Sequence, residues 1–307
     1  MKPIKINSLA LAALAALVIT PALQAVPAIS GGGVAAPVQS PADPYNLAKP
    51  NPVMQAGSDE TALNFDQTVL PNLTKFIHSA LPESVNNTKS RAFEIDPNKI
   101  VLANNTAVRA YFVYEGAAYH NALGVDTVAP GKAGPQSWWD EVTSPTAKLV
   151  FPDASSTEGG FAAGAYGTRT PDEPVLPGDF VNLGNYAAGT KLDFFLMANG
   201  ANQSWAPIYS TDAALNNDGF KQHVAAFTTH IFAVPQLNSP YLFLSFEDLW
   251  GGGDKDVNDT IVALNVGTAT VNSLLATPEP AMPLTFAACL GLALVAVRKN
   301  KKAAVTS

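Results

Sequence analysis

The chain has 307 residues, 47% hydrophobic and 14% charged, which excludes intrinsic disorder and leaves room for one sizeable core or two small ones. Its formal charge is -7, and within residues 26–277 twelve basic residues stand against twenty-four acidic ones. That balance excludes a nucleic-acid footprint and gives the middle of the chain an attraction for cations.

In chain order, residues 1–25 read as a secretory signal peptide: Lys2 and Lys5 precede an apolar stretch at 9–19, then Pro21 and small residues. Cleavage is expected after Ala25, with Ala28 as the second choice. An exported chain whose single cysteine is Cys289 holds no internal disulfide, so it relies on a large core or on bound metal. Residues 26–58 contain Pro27, Pro37, Pro41, Pro44, Pro50 and Pro52 with a run of glycines at 31–33, the composition of a linker or extended arm.

Residues 59–90 are expected to hold a short helical segment. Leu63, Leu70, Leu73, Phe76, Ile77 and Leu81 recur at helical spacing, Pro71 fits a first turn and Pro82 closes the run. From 91 to 267 the period becomes two. Strands are expected at 107–114 and 191–197, both half-buried, and at 100–102, 147–151, 224–234, 241–246 and 260–266. Short strands, turn-rich connections and little helix predict an all-β fold, an antiparallel β-sandwich of jelly-roll-like type. Residues 268–276 read as a linker.

The last expected segment is 277–302. Seventeen uncharged residues at 281–297 are followed by Arg298, Lys299, Lys301 and Lys302 and preceded by Pro278, Glu279 and Pro280. A helix of that length reaches about 25 Å, at the lower limit for a membrane span, and its basic side would stay cytoplasmic. The layout resembles the PEP-CTERM sorting signal. That resemblance implies recognition by an exosortase after passage through the secretion machinery, and a final place at the cell surface, outer membrane or extracellular matrix, among exopolysaccharide. The interruption at Asn300 departs from the usual arginine-rich ending.

The densest chemistry lies between the last two expected strands. Glu247, Asp248, Asp254, Asp256 and Asp259 crowd thirteen residues with Lys255 as the only base. Five carboxylates in one turn repel one another unless a cation neutralises them. Asp254, Asp256 and Asn258 alternate as the first oxygen ligands of a calcium loop do, and an oxygen-only donor set suits Ca²⁺. The stretch is not an EF-hand, because Asp259 stands at the sixth position and Asn265 at the twelfth. The alternative is a solvated acidic turn. Glu115, at the end of an expected strand, is a further candidate ligand or general base, or a strand-end carboxylate facing water.

The segment FEDLWGGGDKDVNDTIV is similar to the C-terminal signature of the bacterial domain of unknown function family 4114, and stretches at 110–125, 148–155 and 176–200 follow the family's order. The resemblance covers residues 91–267. It implies a recurrent acidic site of unestablished chemistry, with Val257 in place of the usual Phe.

His78, His120, His223 and His230 are scattered, which argues against zinc. Trp138, Trp139 and Trp250 are candidates for stacking on sugar rings, with core packing as the competing account; Trp205 shares the ambiguity. Three functions stay open. The first is a non-enzymatic, calcium-binding surface or matrix protein. The second is a calcium-dependent carbohydrate-binding module. The third is a carboxylate-based glycan hydrolase, disfavoured because such enzymes place two carboxyls across a cleft rather than five in one turn.

Overall fold

The computed structural model describes residues 32–81, 95–156, 168–219, 221–232, 235–236 and 238–276. The signal peptide, Pro278-Glu279-Pro280 and the apolar run at 281–297 lie outside them. Among the described residues no helix is long and apolar enough to cross a membrane.

Among the described residues nine strands form two antiparallel sheets. β1 (Thr106–Glu115), β4 (Phe180–Tyr186), β7 (Val224–Thr228), β8 (Tyr241–Phe246) and β9 (Thr260–Asn265) make a five-stranded sheet in the order β4-β1-β9-β8-β7. β2 (Ala122–Val128), β3 (Lys148–Phe151), β5 (Lys191–Met197) and β6 (Ile208–Ser210) make a four-stranded sheet in the order β3-β2-β5-β6. Alternate residues of both sheets meet in one core: Ala110, Phe112, Leu242, Leu244, Val262 and Leu264 from the first, Leu123, Val125, Leu192, Phe194 and Leu196 from the second.

The strands at 107–114 and 191–197 form as expected but are not half-buried. Their second faces carry, besides the buried Arg109 and Asp193, the apolar Tyr111, Val113, Phe195 and Met197, and further layers cover them. On the five-stranded sheet the cover is α1 (Glu60–Thr68) and α2 (Leu70–Ala80), through Ala62, Phe65, Leu73 and Ile77. The expected single helical run is thus two helices meeting at Val69, because Pro71 has no N–H to continue the ladder. On the four-stranded sheet the cover is α3 (Trp138–Val142) and the arm before α1, through Val142 and Leu47. The arm is therefore packed rather than a free linker: Met54 bridges Phe180 and Ala48 bridges Lys148 at the two sheets' edges.

A buried ion pair ties the helical layer to the sheet. Asp59 caps α1 by accepting from Ala62 N at 2.8 Å, and the same carboxylate takes two bonds from Arg109 of β1, at 2.9 and 2.7 Å. Removing one partner of such a pair costs about 3–5 kcal/mol.

Three further expectations need correction. The run at 100–102 makes only an isolated bridge, Val101 to Lys191, after a 3-10 turn at Pro97–Lys99. β7 stops at Thr228, whose side chain caps a turn at Thr229–Ile231. Residues 268–276 form α4 (Thr268–Ala276) instead of a linker; Gly267, at φ +81°, turns the chain so that Val271 and Leu274 reach the shared core.

Candidate metal centre

β8 and β9 are a hairpin, with Phe246 opposite Thr260 and the carboxylate-rich segment as its turn. Asp259 N donates to Phe246 O at 3.0 Å, closing the turn's base. The turn then bends through five residues at positive φ: Gly251 (78°), Gly252 (80°), Gly253 (42°), Lys255 (70°) and Val257 (51°). A Cβ at Gly253 would displace the Glu247 carboxylate and sit at a positive φ that side chains rarely adopt. Val257 holds a conformation unfavourable for a β-branched residue while its side chain is buried against the helical layer.

Folding this way brings the acids together in two sets that share Glu247. Glu247, Asp248 and Asp259 present ligand atoms within 4.8 Å of one another, as do Glu247, Asp254 and Asp256. The first set is largely buried, and the second opens to solvent through Asp254. Main-chain amides and one side-chain amide fix the carboxylates. Asp248 N donates to Asp259 Oδ2 at 2.7 Å, Lys255 N to Glu247 Oε2 at 3.1 Å, and Asn121 Nδ2 to Asp248 Oδ2 at 2.8 Å.

Burial, reinforced by the neighbouring Asp248 and Glu247, pushes the Asp259 carboxyl up to about 9. Burial also raises Glu247 and Asp248. Without a cation this turn therefore holds protons that ordinary carboxylates would release.

Glu115 ends β1 opposite Thr260, next to the turn but in neither set. It accepts from Ser156 N at 3.1 Å, and burial pushes it up to about 8, with Asp153, Glu173 and Asp248 adding repulsion. Asn258 donates its N–H to Asp256 Oδ1 at 3.3 Å while its side-chain amide reaches Leu81 O at 3.2 Å, so it binds the turn to the end of the helical layer. No histidine joins either set. Asn121, just before β2, and Asp153, just after β3, reach this end of the sheets from distant parts of the chain.

The tryptophans separate. Trp250, 63% exposed, sits on the acidic turn. Trp138 and Trp139 open α3 and gather with Trp205 and Tyr45 of the arm: Trp139 stacks on Trp205 at 5.8 Å between ring centroids, and Tyr45 lies edge-on to Trp205 at 5.3 Å. Trp138 packs partly on the outer core, whereas Trp139 and Trp205 are 44% and 67% exposed.

Residues 186–267 match the family model described as a domain of unknown function (DUF4114). The match runs from the last residue of β4 to the second residue after β9 and includes the whole acidic turn; the resembling stretches at 110–125 and 148–155 fall outside it. Searches of curated proteins and of solved structures find no match.

Proposed function

We propose that this chain is an exported, non-enzymatic protein of the cell surface or exopolysaccharide matrix, whose two packed sheets form a jelly-roll-like β-sandwich binding calcium in the β8–β9 turn. The observation that carries the reading is the convergence of two carboxylate sets on Glu247. The donor set fits: every candidate ligand offers oxygen, and a shell of six to eight oxygens suits Ca²⁺. Bound calcium would supply charge compensation, favouring the ionised forms of Glu247, Asp248 and Asp259 and locking the hairpin's turn. Export and sorting rest on the two terminal signals, with an exosortase as the processing partner.

Calcium titration followed by thermal melting tests this. Extracellular sites typically have dissociation constants of roughly 10⁻⁴ to 10⁻³ M, and saturation at a hundredfold excess adds about 2.7 kcal/mol. Trp250 on the turn should sensitise bound terbium, with calcium quenching the emission. A chelator-insensitive melting point together with dark terbium would leave only an acidic turn.

A second reading, calcium-dependent carbohydrate binding, is favoured by the exposed Trp139–Trp205 stack. Flat, rigid ring faces open to solvent suit the apolar faces of sugar rings. Glycan-array binding lost in Trp205→Ala and retained in Trp250→Ala would place the sugar there. The hydrolase alternative predicts turnover that disappears with Glu247→Gln or Glu115→Gln.

A further inference from the structure

We infer that Asp218 and His223 are positioning residues for the cation site proposed in the β8–β9 turn, an inference that rests on that reading. Both side chains are buried, and neither offers a ligand atom to the two carboxylate sets. His223 precedes β7 and pairs with Glu247 beyond the end of the β7–β8 ladder: Glu247 N donates to His223 O at 2.9 Å, and the ring Nδ1 lies 3.2 Å from Glu247 O. Its Nε2 lies 2.7 Å from Asp218 Oδ2, and that same oxygen accepts from Gly251 N at 2.9 Å. The His223 ring stacks on Tyr209 of β6, 4.0 Å between centroids and 19° from parallel. The unit therefore grips the rising limb of the turn at Glu247 and Gly251 and braces it against the edge strand of the other sheet.

Glu247 is the carboxylate common to both sets, and Gly251 begins the run of positive φ that carries the chain back toward it. Fixing these two points before the ion arrives spares the binding step the entropy of ordering the limb. Outer partners that orient ligands in this way are typically worth 10–100-fold in metal affinity.

The test measures calcium affinity by terbium competition and melting temperature in chelator, on the same variants. Asp218→Ala removes the acceptor for both Gly251 and His223 and should weaken calcium binding about 10–100-fold. Asp218→Asn keeps an oxygen for the Gly251 amide and should recover most of that loss; His223→Gln serves as an independent disruption. Leu192→Ala truncates the shared core at the end of β5 away from the turn and should lower the melting point with affinity within about twofold of wild type. Equal affinity in Asp218→Ala, Asp218→Asn, His223→Gln and wild type, with losses confined to melting, would overturn the inference while leaving calcium binding intact. A wild-type protein that binds neither ion would overturn both.

Discussion

Among the described residues the β8–β9 turn and the β2–β5 pair with α3 each bury three carboxylates, and their surroundings differ in one decisive respect. In the sheet, Asp126 and Asp193 face each other across β2 and β5, with Glu141 of α3 nearby. Each has its own local partner. Asp126 accepts from Ser144 Oγ at 2.8 Å and Thr146 Oγ1 at 2.6 Å, Lys191 Nζ lies 2.7 Å from Asp193, and Ser210 Oγ donates to Glu141 at 2.8 Å. Burial pushes Glu141 well up. In the turn the carboxylates also accept from amides, but their oxygens converge on one another within 4.8 Å, and the only base in the segment, Lys255, is exposed. Acid density alone is thus a poor guide to a cation site. What distinguishes the turn is convergence without an internal cation.

That contrast yields predictions in descending size. Calcium should raise the wild-type melting temperature by roughly 5–10 °C over chelator, from about 2.7 kcal/mol of binding in a domain of this size. Glu247→Gln, which removes the carboxylate common to both sets, should erase the whole shift, while Glu141→Gln should keep it in full. A calcium response equally lost in Glu141→Gln would break the comparison. Gly253→Ala should also abolish the response, since the added Cβ meets Glu247 at a positive φ, and calcium-free stability should fall by about 1 kcal/mol or more.

The pH dependence sharpens the same contrast. Asp259 at about 9 and Glu115 at about 8 lie above their ordinary values, so the native state holds protons that the unfolded chain has released. Calcium-free stability should therefore fall as pH rises from the ordinary carboxylate range through about 9. Ionised ligands are what the cation needs, so calcium affinity should climb across that window. Isothermal titrations at pH 6 and pH 9 showing the same affinity would remove protons from the account. The smallest effect expected is from Lys255→Ala: an exposed side chain outside both sets, whose loss should move stability by no more than about 0.5 kcal/mol and leave terbium emission unchanged.

Much of the frame was legible in the residues. Alternation located β1 and β5, apolar runs located β8 and β9 with nearly their observed bounds, and the carboxylates between them marked the turn. β7 ran long because nothing in the apolar pattern at 224–234 announces a cap at Thr228, a hydrogen bond made by the folded backbone. α4 was missed because Thr268–Ala276 carries no charge pattern and more than half of it is Thr, Val, Asn and Ser, weak helix formers; the shared core, through Val271 and Leu274, holds it in place. The half-burial expected of β1 and β5 failed for a non-local reason, since period-two alternation reports which residues share a face but not what lies above it.

For the site, the sequence by itself determined which residues carry the charge and that glycines permit the bend, because composition and local backbone freedom are properties of adjacent residues. Only the tertiary structure decided that Glu247 is common to two carboxylate sets, that Glu115 stands beside them rather than among them, and that Asn121, Asp218 and His223 hold the turn. It also decided that Trp205 and Tyr45, sixty or more residues from Trp138 and Trp139 along the chain in both directions, share their cluster while Trp250 does not. Those groupings depend on which strands pair and which edges meet, and hydrogen-bonded ladders between distant segments leave no periodic trace in either partner.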